Sequence, residues 1–219
     1  MVATVYQTTV YQMVHPYRQR NMAALAQKLD FTFHEKDDFG LLSQLQDFKL
    51  FNEGRAKSIE RIMRRQDGLM EFDIYIFDYS FRRWGGSSSD NKEYQTVFFL
   101  QSAQLGLPEL WMQPETIAHK LGELLGFGDI DFVRFPKFSG QYRLTGGDEE
   151  YIRHHFTDEV LNYFTVNKGW TVEGLGFYLM FYRKGTLIPS AQIEEFYKRG
   201  QEVYQLMTDK DDQNRIFGQ

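Results

Sequence analysis

Arg82-Arg83-Trp84 is the stretch of this chain whose residue types most invite contact with another molecule. Guanidinium groups fork onto carboxylates and phosphates, and an indole adds a large flat apolar face. Gly85-Gly86-Ser87-Ser88-Ser89 follows and reads as a flexible loop. Further cations, Arg55, Lys57, Arg61 and Arg65, recur at even spacing over 55–66. On a strand they would share one face, with Arg64 on the other. Arg61 and Arg65 are therefore expected to join Arg82, Arg83 and Trp84 in a partner-binding surface. If two strands pair through Asp67-Gly68, Arg82 lies at the Arg55 end and Arg64-Arg65 at the other, so the cations divide between two ends. Such chemistry suits phosphate, single-stranded nucleic acid or membrane headgroups, and arginine and tryptophan are favoured at protein hot spots. The plainer alternative is an edge strand guarded by charge, with Glu60, Glu71 and Asp73 as cross-strand partners.

Other reactive constellations are thinner. Asp78 shares a strand face with Phe72, Ile74 and Ile76. A carboxylate in apolar surroundings can act as an acid, although such a residue more often accepts hydrogen bonds. Glu150 and His154 are spaced i, i+4 on one helix face, with His155 adjacent. Catalytic zinc usually takes three protein ligands, and no HExxH spacing occurs, so no metal site is expected. Thr145-Gly146-Gly147-Asp148 links a strand to a helix start, but its acidic residues would repel phosphate. No G-x-S-x-G elbow is present. The chain has no cysteine, which excludes disulfides, thiol nucleophiles and cysteine-ligated metals. No cofactor is expected, and no catalytic residue is assigned.

Composition narrows the class. The 219 residues are 42% hydrophobic and 25% charged, a globular balance, with 20 Phe and 13 Tyr to fill pleated surfaces. Net charge is −5, which makes nucleic acid an unlikely partner for the whole molecule. The N-terminal stretch has no basic region ahead of an apolar run, and no window is long and apolar enough to span a bilayer. A cytoplasmic location is the expectation.

Periodicity then places the elements. Met22, Leu25, Ala26 and Leu29 mark a helix over 19–29. A short strand at 31–33 precedes a helix bearing Leu41, Leu42 and Leu45, with Asp38 as its N-cap. Strands are expected at 55–66, 70–81, 93–103 and 109–113. Asp67-Gly68 should form a tight turn between the first two of these. The second is apolar on both faces and should be central. Pro114 to Gly126 reads as a helix, 130–135 and 141–145 as strands, and Asp148 and Thr157 as helix starts. A hairpin is expected at 170–174 and 177–183, around Gly174 and Gly176. Pro189 opens a final helix with a strong stripe from Ile193 to Met207. The class is α+β: a mostly antiparallel meander sheet with packed helices and a C-terminal amphipathic helix. Residues 17–208 form one domain, divisible into lobes 17–126 and 127–208. Residues 1–16 form a tail or edge strand, and 209–219 a loose tail.

Four phrases carry a resemblance: Leu50–Arg55 (LFNEGR), the pair FDYSF at 77–81 and QTV at 95–97, the segment 138–160, and GWTVEG at 169–174. They resemble a widespread family of uncharacterised bacterial proteins, over about 22–190. The resemblance implies a shared fold in which the FDY and QTV strands flank a glycine-rich hairpin loop. It implies nothing catalytic. Some relatives carry a membrane anchor before this domain. The sequence here shows none, so a tethered role is not expected. Taken together, the residues point to a non-enzymatic domain that binds a protein partner or joins an assembly; a homodimer is compatible with it. The alternatives are a small hydrolase or transferase using Asp78 or Glu150 with His154, and a peripheral module on an anionic membrane.

Overall fold

In a computed structural model of the chain, residues 16–67, 71–84, 92–115 and 128–208 are described. Helix α1 spans 16–28. It is followed by β1 (Thr32–Lys36), α2 (Leu41–Gln44), β2 (Arg55–Gln66), β3 (Phe72–Arg82), β4 (Lys92–Ser102) and β5 (Leu107–Pro114). Then come α3 (Pro136–Ser139), β6 (Tyr142–Gly146), α4 (Glu149–His155), α5 (Asp158–Val166), β7 (Thr171–Gly176), β8 (Tyr178–Tyr182) and α6 (Ile193–Met207). The eight strands form one sheet in the order β1-β2-β3-β4-β8-β7-β5-β6. The class is thus α+β on an antiparallel sheet. The meander holds only through β4, because β5 sits between β7 and β6.

Contacts divide the chain into two compact units, each drawn from three stretches. The first is Met1–Gln66, Ile74–Phe98 and Gly185–Lys198; the second is Asp67–Asp73, Phe99–Lys184 and Arg199–Gln219.

In the first unit, every residue of β3 from Ile74 to Phe81 is buried, as its two apolar faces require. Phe51 packs against Tyr79 with ring centroids 4.4 Å apart, and Phe98 meets Phe196 at 6.5 Å. Each fully buried ring of this kind contributes about 1.5–3 kcal/mol. Met22 and Ala26 turn the inner face of α1 into this core. Asp37 caps α2, its two carboxylate oxygens accepting from the Leu41 and Leu42 amides at 2.8 Å. That corrects the expected cap, Asp38. β2 is paired to β1 through Phe33↔Met63 and His34↔Ile62, so it is not the edge strand that its charges suggested.

Gly68, on which the expected Asp67-Gly68 turn depends, lies outside the described residues. In the second unit, the Asp67 amide donates to the Phe72 carbonyl at 3.3 Å, while its carboxylate accepts from the Glu71 amide at 2.6 Å. β7 and β8 form the expected hairpin, with Leu175 opposite Tyr178 and the turn at Gly176 (φ +56) and Phe177. Trp170 stacks on Phe181 at 4.4 Å under the Arg183 guanidinium. Asp148 and Thr157 cap α4 and α5 as expected, accepting from the Tyr151 and Val160 amides. Residues 130–135 are irregular rather than a strand, because Pro136 starts α3 directly after them. Pro114 is the last residue of β5, opposite Tyr142. The helix expected as far as Gly126, the tails 1–15 and 209–219, and the loop 85–91 lie outside the described residues.

Candidate functional site

The end of β3 is built to present Arg82, Arg83 and Trp84. Burial ends with the strand: Phe81 is 1% exposed, and Arg82 after it is exposed. Gly54 then fixes the strand end. It sits at φ +64, and a Cβ there would lie 2.3 Å from the Arg82 carbonyl oxygen and 2.4 Å from the Phe81 ring. The glycine of the LFNEGR phrase is thus a close-approach residue. Arg55, exposed, follows it directly. Arg83 pairs with Glu93 across the β3–β4 hairpin, yet its side chain stays 61% exposed. Lys92 lies over the Tyr94 ring at 4.9 Å. Trp84 is 71% exposed, which is unusual for the most costly side chain to leave in water.

The other two expected contact residues are elsewhere. Arg61 is 4% exposed and belongs to the core, so it cannot serve a surface partner. The cause is local: Arg61 has φ +53, which breaks the alternation, and Arg61, Ile62 and Met63 are all buried in succession. Arg65 is half-buried and donates to the Tyr197 hydroxyl at 3.2 Å. Arg64 rests on the Tyr75 ring at 5.3 Å.

Arg61 is drawn inward by Asp78. Asp78 Oδ2 accepts from Arg61 Nε at 2.7 Å and from Arg18 Nε at 2.6 Å. Oδ1 accepts from Arg18 Nη2 at 2.6 Å and from the Thr96 hydroxyl at 3.0 Å. Arg18 Nη1 donates to the Ile188 carbonyl, and the Ile188 amide returns a bond to Thr96 Oγ1. The network joins α1, β2, β3, β4 and the segment before α6. Asp78, 2% exposed, has both oxygens engaged by cations and a hydroxyl, so it offers no lone pair to a substrate. The Asp of FDY and the Thr of QTV thus hold the fold together.

The second unit holds Glu150 and His154, both exposed, on α4. His155 is the buried one, its Nδ1 3.1 Å from the Tyr151 carbonyl and its ring edge-on to Tyr151. No group of three metal-ligating side chains occurs among the described residues.

This unit also contains a cleft of about 540 Å³ that sequence reasoning did not single out. Glu115, Asp129, Asp131, Phe132, Val133, Pro136, Ser139 and Gly140 line it. Asp129 Oδ1 accepts from the Leu144 amide at 2.9 Å. Burial raises the Asp129 pKa above the ordinary aspartate value, and the neighbouring Asp131 and Glu115 carboxylates add to the rise; the Leu144 bond and Arg143 oppose it. Val133 is 93% exposed on the rim. A carboxylate cleft with an apolar wall takes cationic, partly flat groups. The two aspartates at 129 and 131 were visible in the sequence, but nothing local linked them to Glu115.

No family model matches the chain, and no curated protein matches it. Among solved structures, the chain is similar to the mycobacterial trehalose monomycolate transport factor A, TtfA, with a TM-score of 0.57 and 12% identity. The match covers 86% of this chain and 93% of TtfA, so what the two share is the fold over nearly its full length.

Proposed function

We propose that the chain is a non-catalytic docking module that engages a protein partner through Arg82, Arg83 and Trp84. The exposure of Trp84 carries this reading. Tryptophan and arginine are the side chains that most often dominate binding when buried at an interface. Here they follow directly on the strand end against which Gly54 packs. The acid chemistry that an enzyme would need is taken up elsewhere: Asp78 is fully bonded, and Glu150 and His154 face solvent. The fold-sharing protein is named a transport factor; the likeness is one of fold and carries no role to this chain.

The test is affinity capture with the full chain against the Arg82→Ala/Arg83→Ala/Trp84→Ala variant. A partner retained by the first and lost by the second supports the module; an unchanged capture profile counts against it. Salt-sensitive co-sedimentation with anionic vesicles, abolished by the same variant, would replace the protein partner with a membrane surface.

A further inference from the structure

We propose that the partner of the Arg82-Arg83-Trp84 tip is the acidic cleft of a second copy of this chain. The inference rests on the docking reading above and deepens it by naming the occupant.

Charge complementarity is the first support. The tip gathers Arg55, Arg82, Arg83 and Lys92 on a chain whose net charge is −5; among the described residues beside them, Glu93 pairs with Arg83 and Glu53 adjoins Gly54. The cleft gathers Glu115, Asp129 and Asp131, with no cation among its lining residues. One chain therefore carries both halves of an ionic pair of surfaces.

Shape is the second support. Phe132, Val133 and Pro136 give the cleft an apolar wall, and Ser139 and Gly140 leave room beside it. At about 540 Å³ it is sized for an indole together with a guanidinium. The wall is firm. The Phe132 amide donates to Ser139 Oγ at 2.8 Å, and the Phe132 ring packs on Phe138 and Phe156. Arg153 covers one side of that ring at 5.0 Å, but its charge is met by Glu149 at 2.7 Å.

Electrostatic need is the third. Glu115 Oε1 is buried without a hydrogen-bond partner. An incoming guanidinium would supply the missing donor and relieve the crowding of carboxylates around Asp129.

Tip and cleft are different surfaces, so the contact is heterologous: each copy donates a tip and accepts another. Such contacts propagate as rings or open chains rather than stopping at a symmetric pair. Repulsion between copies of net charge −5 weakens the contact, so association is expected only at higher concentration.

The experiment is sedimentation velocity on the 26.0 kDa chain over a concentration series. Two variants accompany it, both at exposed positions: Arg82→Glu/Trp84→Ala in the tip and Asp131→Lys/Val133→Lys at the cleft. The wild type is expected to grow beyond monomer as concentration rises. Each variant alone should stay monomeric, with a wild-type circular dichroism spectrum. An equimolar mixture of the two should form a one-to-one pair and nothing larger, because one supplies an intact cleft and the other an intact tip. A wild type that stays monomeric, a variant that still associates, or a mixture that fails to pair overturns the inference. If the monomeric wild type nevertheless captures another protein through the tip, the docking reading survives and only the self-assembly falls. If it captures nothing, both fall.

Discussion

Arg18 grips Asp78 through two parallel hydrogen bonds, both 2.6 Å long, across 60 residues of chain. Both side chains are buried, at 8% and 2% exposure. Arg61 adds a second cation to the same carboxylate. Removing one member of such a group strands the others without solvent, which costs about 3–5 kcal/mol. Asp78→Ala is therefore expected to lower the urea midpoint sharply, with no change beyond that loss of stability in any binding property. Replacing all three with apolar residues (Arg18→Met/Arg61→Met/Asp78→Leu) should recover most of the stability, since no buried charge is then left over. Chemical denaturation of the wild type and the two variants decides both points.

The contact between Gly54 and the Arg82 carbonyl sets up a paired comparison. Gly54 and Gly40 both hold positive φ, +64 and +81. An alanine at Gly40 meets nothing within 4 Å and should cost only the left-handed strain of about 1–2 kcal/mol. At Gly54 the new methyl collides with backbone as well, so Gly54→Ala should cost clearly more. For a chain of this size, each kcal/mol lowers Tm by roughly 2–4 °C, so thermal melts separate the two variants.

Tyr79 is fully buried, and its hydroxyl has no hydrogen-bond partner. Burial pushes its pKa well above the ordinary 10.0, and the Glu53 charge adds to the rise. An unpaired buried hydroxyl is a cost of about 1–3 kcal/mol, so Tyr79→Phe should match or exceed the wild type in stability. The sign with pH follows from the raised value. Above pH 10.0 the unfolded chain gives up its proton while the folded one keeps it, so the wild type loses stability as pH rises through that window. The phenylalanine variant lacks this contribution. Melting curves at pH 7 and above pH 10 should show its advantage widening.

Asp129 gives the acidic counterpart. Its folded pKa is raised above the ordinary 3.8, chiefly by burial. Stability contributed by its protonated form is complete below 3.8 and is lost as pH rises through the folded value. Asp129→Asn retains an oxygen for the Leu144 amide and carries no charge. It should melt higher than the wild type at neutral pH, by a small margin because the group is partly solvated. That margin should vanish on acidification below 3.8.

The sheet and its helices were readable where physics is local. The aromatic run on both faces of β3 called for a covered central strand, and the Ile193–Met207 stripe called for a packed helix. Arg61 was misplaced because strand parity assumes an unbroken pleat, and its positive φ breaks it. Asp78 could have raised the right question, since a carboxylate among Phe and Ile side chains needs partners. The answer lay at Arg18, Thr96 and Ile188, and no spacing rule reaches that far. The cleft stayed hidden for the same reason: Glu115 lies just past the end of β5, and Asp129 and Asp131 occupy an irregular stretch with no period to read.

The Arg18–Ile188 bond also has a bearing on synthesis. Its donor and acceptor are 170 residues apart. Arg18 leaves the ribosome early, but the carbonyl that satisfies its Nη1 is not yet made. At about 5–20 residues per second, α1 waits roughly 10–30 s before its buried arginine can be closed in on every side. Until then its apolar face, Met22 and Ala26, has no finished core to enter. The first helix is therefore completed only by residues made some 170 positions after its own arginine.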